Sequence, residues 1–414
     1  MKNKYKCEKM FEKILKQITP SEEEMCKISR ITKEVVQSLK EEMWEYYNAE
    51  IVPVGSAVKG TNLAGNSDID IFVKFDVRIP EEKFKGEIHN TLKKALENIG
   101  ASTETNYASH PYVKAKYDGI DLDICPCYNV PNAEHIISAV DRTPFHTEFV
   151  NKYLGDYRKP QVRLLKQFLK AHGIYGANEK YQGFSGYLCE LLIIRYGSFI
   201  NVLRSELCEY RFNNDYVPIK YLDPVDLNRN VAAAVSRDAY AKFVAVSRIF
   251  LNEHCEMDDE EVFLKFFNIE EDIQEMSFLM HSINHFYLRG INGTIITSKS
   301  DSDNEEVIYS TARKEFKKMK WLVENEGFKI IDSVFKVYDK RAIFVLGYEV
   351  STLPKYKKVE GPPIDVGKKA FFAWIDKHEQ YYIEDGKLVT QVERKYTNVY
   401  DLIDEHYSSA ERFI

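Results

Sequence analysis

The chain has 414 residues, 44% hydrophobic and 29% charged, which matches an ordinary soluble globular protein with room for roughly three domains of about 150 residues. The formal net charge of -7 supplies no global field for nucleic acid, so an RNA partner needs local basic patches. No apolar run approaches the length of a membrane span, and the Lys-rich N-terminus carries no apolar leader segment, so no membrane association is expected.

The 7 cysteines are an odd number, and Cys125 and Cys127 are one residue apart, so no Cys-x-x-Cys pair is present for zinc or redox work. Reduced thiols in a cytoplasmic protein are the expectation.

Residues 4–18 have the pattern of a short amphipathic helix. Thr19-Pro20-Ser21-Glu22 reads as a helix start, with Thr19 as N-cap, Pro20 in the first turn and Glu22 closing a capping box. The helix it opens extends to about Ala49, with Ile28, Ile31, Val35, Leu39 and Met43 on one stripe.

The stretch from Val52 to Val73 reads as strand, glycine turn, short helical segment, loop and strand. In its second strand Ile69, Ile71, Val73 and Phe75 share one face, and Asp68, Asp70, Phe72 and Lys74 share the other. Two carboxylates one pleat apart suit hard divalent cations, which prefer oxygen ligands. Gly55-Ser56 lets the backbone approach a polyphosphate closely. Gly-Ser followed by Asp-x-Asp resembles the nucleotidyltransferase signature of the DNA polymerase β superfamily.

Residues 81–99 read as a helix ending at Gly100. Short strands follow, 113–117 and 120–124. In the latter, Ile120, Leu122 and Ile124 alternate with Asp121 and Asp123, so a sheet holding both acidic strands brings a third carboxylate beside Asp68 and Asp70. Spacing alone does not choose between Asp121 and Asp123.

A helix over 160–173 begins with Pro and ends at Gly. Leu165 and Leu169 mark its buried face, and Arg163, Lys166 and Lys170 line another. Residues 186–196 are apolar on nearly all sides and read as a core helix. Asp223 to Val231 is a loop before an apolar helix at 232–251. Residues 298–306 form a polar loop. Helix 309–325 carries Arg313, Lys314, Lys317, Lys318 and Lys320, with Trp321 at its end. Strands follow at 328–338 and 342–350, then Gly361-Pro362-Pro363, an amphipathic helix near 367–377, and a hairpin turning at Asp385-Gly386 whose second strand contains Arg394-Lys395-Tyr396.

In order, Gly55-Ser56 with Lys59-Gly60-Thr61, Ser67-Asp68-Ile69-Asp70, His110-Pro111-Tyr112, Asp121 to Tyr128, Asp141 to His146, Arg163 to Lys166, Gly173 to Gly176, Gly183 to Tyr187, Asp223-Pro224 with Arg229 to Ala233, and Gly361-Pro362-Pro363 resemble the archaeal-type (class I) CCA-adding enzymes, the tRNA nucleotidyltransferases of that superfamily. The resemblance covers essentially the whole chain.

It implies an α+β fold: a catalytic head with a mixed β-sheet (1–147), a helical neck (148–265), a body (266–325 and 388–414) and an inserted tail (326–387). It implies template-independent addition of CCA to tRNA from CTP and ATP, with Mg²⁺ on Asp68, Asp70 and Asp123. It places Ser56, Lys59, His146, Lys166 and Tyr175 at the nucleotide, and Arg394 and Lys395, in a stretch resembling the family's C-terminal motif, at the RNA. Arg229 is placed at the base because its guanidinium offers planar donors to a base edge, with an N-cap salt bridge as the alternative. Lys59 stands where the family often has Arg, and Ser109 where it often has an acid. A homodimer is kept open. The alternatives are another transferase of the superfamily, such as a poly(A) or oligoadenylate polymerase, and an inactive tRNA-binding protein.

Overall fold

The computed structural model describes residues 2–65, 68–104, 112–208, 218–269 and 274–413. Ser67 of the acidic motif, Ser109 and His110-Pro111 lie outside them. The chain divides into two units, Met1–Glu270 and Glu271–Ile414.

The first unit opens with α1 (Lys2–Ile18) and α2 (Glu22–Tyr47). The cap of α2 is Ser21 and not Thr19: its hydroxyl accepts the Glu24 N–H at 3.1 Å, and Pro20 precedes the helix. The stripe from Ile28 to Met43 is buried as its spacing requires. Next come β1 (Glu50–Val54), α3 (Gly55–Lys59), β2 (Ile69–Phe75), α4 (Glu81–Lys83) and α5 (His89–Asn98), then β3 (Ser102–Glu104), β4 (Val113–Tyr117) and β5 (Ile120–Tyr128).

The five strands form one mixed sheet in the order β1-β2-β5-β4-β3, with β2 and β5 parallel and the other pairs antiparallel. Ile71, Val73 and Phe75 are buried with α2 and α5 on one face. At roughly 1.5–3 kcal/mol per buried large side chain, this face fixes the strand register. The opposite face is not uniformly wet. Phe72 packs there with Val54, Cys125 and Cys127, so an apolar patch lies next to the acidic end of the strands. Burial pushes the Cys125 thiol up to about 12, as expected of a core residue.

The helical part contains α6 (Arg142–Tyr153), α7 (Lys159–Ala171), α8 (Gly186–Tyr196), α9 (Phe199–Leu203), α10 (Arg237–Glu253) and α11 (Asp259–Phe266). Its core includes Phe168, Phe199, Phe250, Phe266 and Phe267. Met10, Ile14 and Ile18 of α1 are buried in this same cluster, so α1, expected in the head, packs with the helices. Helix α10 starts at Arg237, later than expected, because Ser236 caps it.

The second unit contains α12 (Glu275–Tyr287), β6 (Asn292–Lys299), α13 (Glu305–Asn325), β7 (Ile330–Tyr338), β8 (Arg341–Tyr348), β9 (Tyr356–Pro363), α14 (Lys368–Ile375), β10 (Tyr382–Glu384), β11 (Lys387–Glu393), α15 (Val399–His406) and β12 (Ala410–Phe413). An antiparallel sheet runs β12-β6-β8-β7, and a smaller one β10-β11-β9. Strand β8 is apolar on both faces. Phe344 and Leu346 pack against α13 and α15, while Ile343 and Val345 pack against Phe278 and Phe286 of α12. The segment 326–387, expected as one tail, is split: β7 and β8 pair into the larger sheet with β6, and β9 and β10 join the smaller one.

Candidate active site

Asp70 and Asp123 are direct partners in the parallel register of β2 and β5, and Lys114 on β4 is the partner of Asp123 on its other side. Adjacent strands lie about 4.8 Å apart, so the two carboxylates are neighbours on one face. Asp68 stands at the start of β2, and its charge acts on both. Burial and the neighbouring acids push all three carboxyls up from the ordinary value, Asp70 to about 6. Asp121 is exposed and lies 3.8 Å from Lys116. Asp123 stands beside Asp70, while the Asp121 charge acts on the Asp68 carboxyl.

The Gly55 turn closes over this pair. Gly55 has φ +82°, and a Cβ there would stand 2.1 Å from Asp70 Oδ2, so only glycine fits. Ser56 follows in α3, half-buried.

The donor set is three carboxylates with no nitrogen or sulfur ligand, which suits a hard divalent cation. Burial is the largest cause of their raised pKa values and neighbouring acids add to it, and a bound cation offsets both. Among the described residues no group of three potential ligands closes on a single point. The acids are arrayed along the strand ends, and the residues fit the cation by chemistry.

Lys59 and Lys166 sit behind the Gly-Ser turn. The helical pattern places Lys166 on an outer basic face with Arg163, but it is 2% exposed, and Lys59 is 7% exposed. Both converge on Glu190 of α8, itself fully buried. Lys59 Nζ donates to Glu190 Oε2 at 2.6 Å, and the Thr61 hydroxyl donates to Oε1 at 2.5 Å. Lys166 Nζ donates to the Thr61 carbonyl at 3.1 Å and lies 3.6 Å from Glu190 Oε1. Arg163 donates to the carbonyls of Asn62 and Gly60 at 2.9 and 2.8 Å. Helices α7 and α8 thus clamp the segment that follows Ser56.

Tyr175 completes this corner. A Cβ on Gly186, the first residue of α8, would lie 3.0 Å from the Tyr175 hydroxyl and 3.5 Å from Lys166 Nζ. A side chain there would crowd both groups, so glycine lets the Tyr175 phenol and the Lys166 ammonium group approach the N-terminus of α8.

His146 and Arg229 are brought together by Asp223, which is fully buried. His146 Nε2 is 2.8 Å from Asp223 Oδ2, and Arg229 Nη1 donates to the same oxygen at 2.9 Å. The Tyr187 hydroxyl and the Val225 N–H donate to Oδ1, each at 3.0 Å. The Tyr187 ring stacks on His146 at 4.0 Å. Burial alone raises the Asp223 carboxyl, but the bonds from His146, Val225 and Arg229 outweigh it and hold the group at about 2. Arg229 remains 39% exposed at its side chain, so its other donors face outward.

In the second unit, Arg394 and Lys395 lie beyond the end of β11. Arg394 Nη1 donates to the Glu326 carbonyl at 2.9 Å and packs on Gly327. It caps the C-terminal end of α13, a role in the fold. Lys395 is exposed and paired with Glu405 at 2.8 Å. On α13, Lys314, Lys317 and Lys318 are exposed, and Trp321 is 64% exposed beside them.

Comparison with known proteins covers both units. Residues 32–146 match the nucleotidyltransferase domain, 160–258 the second domain of tRNA nucleotidyltransferase, and 289–412 the C-terminal domain of the CCA-adding enzyme. The CCA-adding enzyme of Methanocaldococcus jannaschii is 33% identical over 421 residues, spanning 96% of this chain and 90% of that protein. The chain belongs to the CCA-adding enzyme family. The CCA-adding enzymes of Sulfurisphaera tokodaii and Methanothermobacter thermautotrophicus are 33% and 31% identical, each across 97% of this chain. A solved structure of Cid1, an RNA terminal uridylyl transferase, shares the fold: TM-score 0.50 and 16% identity over 62% of this chain and 97% of that one.

Within this CCA-adding family member, two groups that organise the site escape the sequence reading. Glu190 is one acid in an otherwise apolar helix, and that isolation is the signal for it, because a buried charge requires a partner. Asp223 stands in a quoted motif, but its hub role depends on contacts 77 residues away in sequence.

Proposed function

We propose that this protein adds and repairs the 3′-terminal CCA of tRNA, transferring nucleotidyl groups from CTP and ATP without a nucleic-acid template and releasing pyrophosphate. The observation that carries the reading is the pairing of Asp70 with Asp123 beneath Gly55, within a chain related to CCA-adding enzymes over nearly its whole length.

Asp68, Asp70 and Asp123 would hold Mg²⁺, which lowers the pKa of the attacking ribose hydroxyl and balances charge on the departing pyrophosphate. Ser56, Lys59, Lys166 and Tyr175 orient the triphosphate, and the clamp on Gly60–Asn62 fixes the turn that carries Ser56. Arg229 presents a guanidinium edge to the base, fixed by Asp223, with His146 and Tyr187 packed behind it. A polar edge of this kind rejects bases that leave it unpaired. The proposed setting is the cytoplasm, where thiols stay reduced. On the second unit, Lys314, Lys317 and Lys318 are the proposed phosphate partners for tRNA.

The test is to sequence the 3′ ends of tRNA transcripts lacking CCA after incubation with the protein and all four nucleoside triphosphates. The expected product ends in C, C, A and stops. Runs of A or U indicate another transferase of the superfamily, and unextended but bound tRNA indicates a binding protein.

A further inference from the structure

The lysines assigned to the triphosphate reach it from inside the protein, and a buried ammonium is held charged only by a partner. Lys166 sits 2% exposed on α7. The groups facing it are Glu190 and Cys189 on α8, Lys59 on α3, the Thr61 carbonyl and hydroxyl, and Tyr175. Glu190 is the one negative charge in this set. Lys59 carries the same sign as Lys166, Thr61 is neutral, and burial raises the Cys189 thiol to about 12 and the Tyr175 phenol well above its ordinary value. Glu190 therefore serves two cations at once, and its oxygens divide the work: Oε2 takes Lys59 at 2.6 Å, while Oε1 takes Thr61 at 2.5 Å with Lys166 at 3.6 Å.

We infer that Glu190 is a positioning residue for nucleotidyl transfer, which keeps Lys166 protonated and fixed, with Lys59 and Thr61, behind the Gly55-Ser56 turn so that a full positive charge meets the triphosphate. The inference rests on the reading that Lys166 faces the triphosphate. Glu190 touches neither substrate nor reacting atoms, and acts through the ammonium groups it holds.

Electrostatics supports the geometry. Burial pulls the Lys166 pKa down and Lys59 adds to that pull; Glu190 opposes it, and the net direction remains downward. Burial pushes the Glu190 carboxyl up, but Lys59 and Lys166, with the bonds from Lys59 and Thr61, hold it below the ordinary value and therefore ionised. With Glu190 neutral, Lys166 loses its main upward influence and keeps burial and Lys59, which lower its pKa, against Cys189 alone. A lysine is charged below its pKa, so the phosphate-binding charge is then present at low pH and lost as pH rises through the lowered value.

The experiment measures kcat and KM for CTP and ATP between about pH 7 and pH 9 in the wild type, Glu190→Gln, Glu190→Asp and Lys166→Met, with thermal unfolding of each. In Glu190→Gln, KM for both nucleotides is expected to begin rising at a lower pH than in the wild type, approaching tenfold per pH unit above the further lowered lysine value. Glu190→Asp withdraws the charge by one methylene and is expected to show a smaller rise, and it serves as the test if Glu190→Gln does not fold. Lys166→Met is expected to have a high KM at every pH. A pH-independent KM in both Glu190 variants overturns the inference while leaving the lysine reading intact. A wild-type KM in Lys166→Met overturns the lysine reading itself.

Discussion

Asp70 on β2 and Asp123 on β5 are paired residues of a parallel register, and Gly55 lies against the first of them, with no room for a Cβ. This juxtaposition joins the two acidic strands and the glycine turn, three stretches separated in sequence, into one site. A crossover that carries β3 and β4 returns β5 to the side of β2, so the third acid arrives from a distant part of the chain.

Gly55→Ala tests the closeness of the turn. A methyl group there meets Asp70 Oδ2 at 2.1 Å and forces a residue with φ +82° into a strained region. The expected cost is about 1–3 kcal/mol of stability, with CMP and AMP incorporation falling well beyond what the lost folded fraction explains. Denaturant unfolding beside single-turnover incorporation checks it, and parallel losses in both would contradict a direct effect on the acids.

Asp223 makes folding stability depend on acid. Its folded pKa of about 2 lies below the unfolded value, so its contribution is present above the unfolded pKa and lost as pH falls toward 2. The full effect is about 2 kcal/mol. Asp223→Asn should remove that part of the acid sensitivity between about pH 4 and pH 2, read as the midpoint of urea unfolding against pH. An Asp223→Asn profile parallel to the wild type would contradict it.

Arg229→Ala should weaken discrimination against UTP and GTP while leaving the triphosphate contacts in place. Its guanidinium is anchored at one nitrogen by Asp223 and open at the others. The loss is expected to be roughly 10–150-fold in the ratio of kcat/KM for CTP over UTP, from the roughly 1.5–3 kcal/mol of a hydrogen bond to a charged group. Unchanged selectivity would remove Arg229 from base reading.

Much of this site is legible in the sequence, for a physical reason. Period-two alternation over Ile69–Phe75 and Ile120–Ile124 reports which residues share a face, and Gly-Ser before Asp-x-Asp reports the turn. Register is different: no pattern states that β2 lies beside β5, or that Asp123 and not Asp121 falls opposite Asp70. Lys166 shows a second limit. The helical pattern sets it on a basic face apart from Leu165 and Leu169 and does not show its burial, because α7 is covered by α8 and by the Gly60–Asn62 segment as well. In the same way β7 and β8 read as part of a separate tail until their pairing with β6 is seen.

Arg394 and the α13 lysines should separate by experiment. Arg394→Ala removes a bond to the carbonyl at the end of α13 and should cost about 1–2 kcal/mol of stability, leaving the salt dependence of tRNA affinity unchanged. Replacing Lys314, Lys317 and Lys318 with Gln should leave stability within about 0.5 kcal/mol and flatten the plot of log affinity against log salt by roughly one unit per lost phosphate contact. A shallower salt plot for Arg394→Ala, or an unaltered one for the triple variant, would contradict the assignment.

The most direct measurement of the central claim is single-turnover CMP incorporation into tRNA lacking CCA, comparing Asp123→Asn with Asp121→Asn at matched tRNA and CTP binding. The account predicts a loss of at least about a thousandfold for Asp123→Asn, the scale of several kcal/mol of lost charge stabilisation, and less than about threefold for Asp121→Asn. Near-normal transfer by Asp123→Asn, or a comparable loss in Asp121→Asn, would contradict the assignment of the Asp70–Asp123 pair as the reacting centre.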